Sequence, residues 1–291
     1  MTDTASRARE RSDFTLMLVT RDPGIARAAV RGGADRIFVD LEMSGKAERQ
    51  KGRSTIISGH TIADLERVRA AVPGADVLAR LDPPSPTTPT EVEAVLAAGA
   101  DTVMLPFFRS HDEVARFVDA VAGRARTCIL LETAAAYVRV DRIAATPGLD
   151  EIHIGLNDLH ISMGLAFMYE SLAGGVLDHV ISRIRAVAPG IRYGFGGGAL
   201  IGAQHPVSPS DVLREHARLG SRMIILSRTF TKNAADEAEL ARLGIDLAAE
   251  IARVRDAVET ARARPPDEVE RDRVRIRGLI WRAADELAAR A

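Results

Sequence analysis

The fold is decided by residues 99–132, GADTVMLPFFRSHDEVARFVDAVAGRARTCILLE. An apolar run at 101–106 precedes the stretch SHDEVARFVDAVAG, whose apolar residues recur at helical spacing, and a second apolar run follows at 126–132. Short apolar runs are typical of buried parallel strands, and an amphipathic stretch between two of them is typical of a connecting helix. This segment therefore predicts two parallel strands joined by a helix.

The same unit is repeated along most of the chain. Further apolar runs predict strands at about residues 14–20, 35–41, 76–81, 150–155, 191–196 and 221–227. Gly33, Gly99 and Gly220 each follow a helical stretch and precede a strand, where a glycine commonly ends a helix. Eight such units predict an α/β fold of the (β/α)8 TIM-barrel type over residues 1–231. A doubly wound open sheet is the alternative, which the lack of a glycine-rich phosphate motif after the first strand weakens.

The pattern changes after residue 231. Residues 232–262 and 266–290 predict two charged amphipathic helices, separated at Pro265 and Pro266. We expect this C-terminal helical extension, 232–291, to pack on the barrel bottom or on a neighbouring subunit of a homo-oligomer. The apolar residues that favour packing over a free tail are Val274, Leu279, Ile280, Trp281 and Leu287.

Composition excludes several classes of protein. With 291 residues, 46% of them apolar, the chain can bury a large core. A net charge of -1 and 4% aromatic residues argue against nucleic-acid partners and membrane-surface binding. Cys128 is the only cysteine, so no internal disulfide forms, and no apolar run suits a signal peptide or a membrane span. These features predict a soluble, cytoplasmic protein.

Polar side chains follow the predicted strands at the end where barrel enzymes carry their active sites. They are Asp40 and Glu42 after the second strand, Arg80 in the third, Glu132 after the fifth, Asp158 and His160 after the sixth, and Ser227 and Arg228 after the eighth. Glu132 and Asp158, on adjacent strands, can share a divalent cation, Mg²⁺ first and Mn²⁺ or Co²⁺ as alternatives. A cation beside Arg80 would stabilise an enolate oxygen. Asp158 as a helix N-cap is the alternative.

Six motifs carry a resemblance to a known family. They are VDLEMSGKAERQ (39–50), LARLDP (78–83), VMLPFF (103–108), LLETAAA (130–136), GLNDLHISMG (155–164) and ILSRTF (225–230). They resemble the HpcH/HpaI aldolase and citrate lyase β-subunit superfamily over about residues 14–230. The resemblance implies a (β/α)8 barrel whose C-terminal helix often packs on a partner subunit. It also implies a class II aldolase or lyase that makes or breaks a carbon–carbon bond through the enolate of pyruvate or of an acetyl thioester.

The resemblance assigns roles to individual positions. Glu132 and Asp158 are the implied metal ligands, and Arg80 is the implied partner of the substrate keto or enolate oxygen. Asp40 and Glu42 match the acidic end of the second strand. The main chain of Gly155, Leu156 and Asn157 is implied to lie near the substrate carboxylate. His160 is a candidate to orient Asp158, whereas packing is the simpler role for His153.

The sequence departs from the family after the second strand. The bacterial 2-oxo acid aldolases have a catalytic histidine where this chain has Met43, and citrate-lyase-like members commonly have aspartate there. His60, just before the next helix, is our candidate for the general base, and the alternative is that it only caps or abuts the start of that helix. The basic loop residues Lys46, Lys51 and Arg53 are candidates to bind a phosphate or carboxylate of the acceptor, with solvated loop charges as the alternative.

The leading hypothesis is a metal-dependent aldolase that joins a 2-oxo acid to an aldehyde or acyl acceptor, or reverses that reaction. A CoA-thioester lyase of the citrate lyase or malyl-CoA type is the first alternative. A Schiff-base aldolase is disfavoured because none of the three lysines lies in a predicted strand. A non-catalytic barrel that binds a small molecule is the alternative from a different class.

Overall fold

The structure is a computed structural model that describes residues 13–43 and 59–289. In these residues eight strands form one parallel sheet in the order β7-β6-β5-β4-β3-β2-β1-β8. They are β1 Thr15–Val19, β2 Arg36–Asp40, β3 Asp76–Arg80, β4 Thr102–Leu105, β5 Arg126–Leu131, β6 Glu151–Ile154, β7 Arg192–Phe195 and β8 Met223–Leu226. Each strand lies within its predicted range, so the predicted (β/α)8 barrel is confirmed.

The sheet closes between β7 and β8. The Arg222 N–H donates to the Tyr193 carbonyl oxygen at 2.8 Å, and Gly198 forms a parallel bridge with Leu226. A Cβ at Gly194 would lie 2.1 Å from the Met223 carbonyl oxygen, so the two strands approach this closely only because residue 194 is glycine. Closure brings the C-terminal ends of all the strands to one rim.

Helices cover the outside of the barrel. In the described ranges they are α1 Pro23–Gly32, α2 Ile62–Ala71, α3 Thr88–Ala97, α4 His111–Val121, α5 Ala134–Val138, α6 Val140–Ala144, α7 Leu156–Ser162, α8 Glu170–Ala173, α9 Val176–Val187, α10 Pro209–Leu219, α11 Glu237–Arg242, α12 Leu247–Arg262 and α13 Pro266–Ala288. A 3-10 helix, Arg228–Thr231, follows β8. Gly33 and Gly220 end α1 and α10 in left-handed conformation, as predicted. None of these helices is both long and apolar enough to cross a membrane.

The barrel interior is apolar in the middle and charged at the bottom. Its apolar cluster includes Met17, Phe38, Leu78, Met104, Cys128, Leu130 and Met223. Cys128 is fully buried, and burial raises the pKa of its thiol. Below the cluster, at the N-terminal ends of the strands, Arg36 pairs with Glu151 at 2.6 Å and with Asp76 at 2.9 Å. Arg126 pairs with Asp76 at 2.7 Å.

The C-terminal extension differs from its prediction in two ways. The single helix predicted at 232–262 is wrong, because Gly244 adopts a positive φ of 67° and Asp246 caps a new helix, which divides the segment into α11 and α12. The helix predicted at 266–290 is α13, and it begins at Pro266 as expected.

The apolar residues singled out in the last helix do not all pack inward. Ile280, with Ile276, is buried where α13 packs on α8 and α10. Val274, Trp281 and Leu287 are instead exposed, so the inward face of α13 was only partly predicted. The homo-oligomer stays a prediction.

Candidate active site

An arginine on β3 is paired with two carboxylates at the end of β2. Asp40 ends β2, and the parallel register places it opposite Arg80 at the end of β3. The Arg80 Nε donates to Asp40 Oδ1 at 2.8 Å, and its Nη2 lies 3.1 Å from Glu42 Oε2. Burial lowers the pKa of Arg80, but Asp40 and Glu42 raise it by more, so the guanidinium stays charged. The sequence-predicted trio therefore converges on one corner of the rim.

Glu132 lies beside this trio, directly after β5. Only 3% of the residue is exposed, and one carboxylate oxygen accepts the Phe107 N–H at 3.1 Å. Burial and then the neighbouring Asp158 carboxylate raise the pKa of Glu132 well above its ordinary value, while Arg80 opposes them. Glu132 and Asp158 are thus close enough to repel one another.

Gly155 makes room for the Glu132 carboxylate. A Cβ at this position would lie 2.7 Å from Glu132 Oε2 and 3.0 Å from Glu132 Cβ, distances that a side chain does not tolerate. Gly155 also precedes α7 as its N-cap, so the alternative that Asp158 is the N-cap is wrong. Asp158 lies in the first turn of α7 and is half-buried.

The other predicted residues around β6 have different environments. Leu156 is buried in the core, whereas Asn157 is exposed. His160 Nδ1 lies 3.3 Å from the Leu156 carbonyl oxygen and so holds the same turn of α7 that carries Asp158. His153 is buried within β6, and burial lowers its pKa to about 3. The predicted substrate contacts of the 155–157 main chain stay predictions.

His60 supports the end of β2. Its Nδ1 accepts the Asp40 N–H at 3.0 Å, so the neutral ring carries its proton on Nε2. Burial lowers the pKa of His60 to about 4. The ring is placed as a hydrogen-bond donor, which disfavours our prediction that His60 is the general base. The alternative that His60 caps or abuts the helix start holds in its second part, because Thr61 caps α2 and His60 directly precedes Thr61.

Two features near β2 were not foreseen. Met43 is exposed, and its N–H donates to Asp82 Oδ1 at 2.7 Å. Arg228, after β8, places Nη2 3.5 Å from Asp40 Oδ2, so Asp40 lies between two arginines. The position of Arg228 at a strand end was the only available signal, and we gave it no role. The predicted ligands Lys46, Lys51 and Arg53 lie outside the described residues.

The cluster around Arg80 carries more acidic than basic groups. Its carboxylates are Asp40, Glu42, Glu132 and Asp158, and its guanidiniums are Arg80 and Arg228. Within residues 13–43 and 59–289, no group of three or more His, Cys, Asp or Glu side chains is arranged to hold a metal ion. The smaller pair of Glu132 and Asp158 has the hard oxygen donors that Mg²⁺ or Mn²⁺ prefers, and a cation there would relieve their repulsion.

Comparison with known proteins identifies the family. The HpcH/HpaI aldolase/citrate lyase model matches residues 14–188, which is more than half of the chain. The chain belongs to the HpcH/HpaI aldolase/citrate lyase family. A hydroxypyruvate/pyruvate aldolase from Paraburkholderia phytofirmans is 29% identical over 184 residues, which cover 52% of this chain and 66% of that relative, just under two thirds of its length. The members that give this family its name are aldolases and citrate lyases.

Solved structures share the fold. An HpcH/HpaI aldolase/citrate lyase family protein from Burkholderia cenocepacia has a TM-score of 0.58 and 19% identity, over 86% of this chain and 96% of that chain. The citrate synthase SbnG has a TM-score of 0.57 and 16% identity, over 84% of this chain and 94% of that chain. At these identities the likeness shows a common barrel and does not transfer a reaction.

Proposed function

We propose that this protein is a metal-dependent aldolase that forms or cleaves a carbon–carbon bond through the enolate of a 2-oxo acid such as pyruvate. The observation that carries the proposal is the convergence of Arg80, Glu42 and Glu132 at one corner of the rim. A fixed cation beside buried carboxylates is the arrangement that an enolate site needs. The pyruvate aldolase relative supports the same choice of substrate class.

Glu132 and Asp158 would hold the divalent cation, Mg²⁺ first and Mn²⁺ or Co²⁺ as alternatives. When bound, the cation supplies electrophilic polarisation of the keto and carboxylate oxygens of the 2-oxo acid. The repulsion between the two carboxylates supports this assignment. Burial and Asp158 raise the pKa of Glu132, and a bound cation would offset both effects.

The remaining steps use the protein's own side chains. In the cleavage direction, Glu42 takes the proton from the hydroxyl group on C4 of a 4-hydroxy-2-oxo acid. The C3–C4 bond breaks, the C4–OH becomes the carbonyl of the departing aldehyde, and the electron pair passes to the keto oxygen as an enolate. Arg80 donates hydrogen bonds to that oxygen, and Glu42 returns the proton to C3 to give the free 2-oxo acid. His60 keeps the end of β2 in place through the Asp40 N–H.

Deuterium exchange into pyruvate tests the proposal without any knowledge of the acceptor. We expect the methyl protons of pyruvate to exchange in D2O with Mg²⁺ or Mn²⁺ present, and the exchange to stop with EDTA. Glu42→Gln should slow exchange by about 10²- to 10⁴-fold, the usual contribution of a general base. Arg124→Gln, which alters a surface pair with Glu93 at the far end of the barrel, is the control.

Two outcomes would overturn the assignment. A lack of exchange with every divalent cation would remove the enolate chemistry. A borohydride-stable adduct of pyruvate on a lysine would replace the metal by a Schiff base. Cleavage of malyl-CoA in a parallel assay, without cleavage of 4-hydroxy-2-oxo acids, would favour the CoA-thioester lyase instead.

A further inference from the structure

A separate pocket opens beside the proposed site, between the C-terminal ends of β1 and β8. It has a volume of about 180 Å³, and the side chains of Arg21, His60, Arg228 and Asn233 are among those that line it. None of its described lining residues is acidic. The pocket is too small for a large ligand and is suited to one small chemical group.

Positive charge gathers in this pocket. Arg21 Nη1 donates to the Gly59 carbonyl oxygen at 3.0 Å, which fixes its guanidinium on the wall. Burial lowers the pKa of Arg228, the Asp40 carboxylate opposes this, and Arg80 lowers the pKa further. Burial lowers the pKa of His60, Asp40 opposes this, and Arg228 and Arg21 lower the pKa further, so both guanidiniums lie near the imidazole ring. Because its described lining includes two guanidiniums and no carboxylate, the pocket would favour an anion over a neutral group.

The pocket also neighbours the proposed active site through Asp40. Asp40 contacts Arg80 through one carboxylate oxygen and lies 3.5 Å from Arg228 through the other. The Asp40 carboxylate therefore lies between Arg80, the proposed partner of the enolate oxygen, and Arg228 at the edge of the pocket. The 3-10 helix Arg228–Thr231 follows β8 here, and the loops after the last strands of such barrels commonly bind anionic groups.

We propose that the Arg21–Arg228 pocket binds a carboxylate or phosphate on the acceptor aldehyde, and that the enzyme thereby selects anionic acceptors. The inference rests on the proposed aldolase function. Arginine suits this role because its planar guanidinium forms paired hydrogen bonds to carboxylate and phosphate oxygens.

Matched pairs of acceptors test the pocket. Aldol addition to pyruvate would be measured with D-glyceraldehyde 3-phosphate against D-glyceraldehyde, and with succinic semialdehyde against butanal. In at least one pair, we expect kcat/KM for the anionic acceptor to exceed that for its neutral counterpart by about tenfold or more, because the arginines form charge-assisted hydrogen bonds to the anion. The pair with the larger ratio of anionic to neutral kcat/KM shows whether the pocket binds a phosphate or a carboxylate.

Variants connect the preference to the pocket. Arg21→Gln and Arg228→Gln should each lower the anionic-to-neutral ratio by about tenfold, whereas Arg228→Lys should restore part of it and Arg124→Gln should leave it unchanged. The ratio is read within each variant, so a general loss of activity does not imitate the effect. Arg21 is exposed, so its replacement keeps the test valid if Arg228→Gln does not fold.

The outcomes separate this inference from the proposed function. Normal pyruvate exchange together with equal use of charged and neutral acceptors would overturn the pocket alone. An anionic preference that survives both glutamine substitutions would also overturn it. An absence of pyruvate exchange would overturn the aldolase proposal and this inference with it.

Discussion

Buried charged side chains are arranged differently at the two ends of the barrel. At the bottom, the Arg36 and Arg126 guanidiniums pair with the Asp76 and Glu151 carboxylates. In the cluster around Arg80 at the top rim, four carboxylates lie with two guanidiniums, and Glu132 has a raised pKa because it is buried and lies near Asp158. Removing one partner from a buried ion-pair network is costly, whereas a cluster with an excess of carboxylates is suited to bind a cation.

The sharpest test makes the same substitution at both ends. Glu151→Gln should lower the free energy of unfolding by about 3 kcal/mol, because it removes a buried partner of Arg36. Glu132→Gln should not lower it in cation-free buffer, since the amide still accepts the Phe107 N–H and the repulsion with Asp158 disappears. Glu132→Gln should also reduce kcat by about 10³-fold, which corresponds to losing several kcal/mol of electrostatic stabilisation of the transition state.

Urea unfolding and pyruvate exchange would measure both effects. If Glu132→Gln unfolds as easily as Glu151→Gln, the top carboxylates belong to a structural network like the one at the bottom. If Glu132→Gln retains full exchange activity, Glu132 is not a ligand of the reactive centre.

Cation binding gives the next largest effect. Mg²⁺ or Mn²⁺ at one hundred times its dissociation constant should raise the free energy of unfolding by about 2.7 kcal/mol. Glu132→Gln and Asp158→Asn should lose this stabilisation, and Glu151→Gln should keep it. A thermal shift of equal size in all three variants would place the cation elsewhere on the protein.

This contrast also shows what the sequence could reveal. The strands and Arg80, Glu132 and Asp158 were predictable because apolar runs and strand ends are local patterns. The partnership of Asp40 with Arg228 was not, because it joins residues 188 positions apart through closure of the barrel. The break at Gly244 was missed because apolar spacing continues on both sides of it. The role of His60 depended on which ring nitrogen accepts the Asp40 N–H, which no sequence pattern records.

Acid should destabilise the top rim through His60. Its pKa is about 4 in the folded protein and 6.5 when unfolded, so between these values the unfolded chain binds more protons. The stabilisation is therefore complete above pH 6.5 and is lost as the pH falls through 4. At pH 5 the His60 contribution to this loss should be about 2 kcal/mol.

Urea unfolding of the wild type and of His60→Asn at pH 5 and pH 8 would measure that contribution. Asparagine can still accept the Asp40 N–H but does not titrate, so the variant should lose less stability between the two pH values. His153 and His216, whose pKa values burial lowers to about 3, remain in both proteins and cancel in the comparison. If both proteins lose the same free energy of unfolding between pH 8 and pH 5, protonation of His60 does not destabilise the folded state.

The smallest expected effect is at Gly155, and it separates shape from charge at the rim. Gly155→Ala places a methyl group 2.7 Å from the Glu132 carboxylate and should push it from its position without changing any charge. We expect about a tenfold fall in kcat, in line with small displacements of a reacting group. Gly74→Ala, in a turn near the bottom with no atom within 4 Å of the new Cβ, should leave activity unchanged. Normal activity of Gly155→Ala would mean that the reaction depends on the charge of Glu132 but tolerates its movement, as expected of distant electrostatic stabilisation rather than of a ligand.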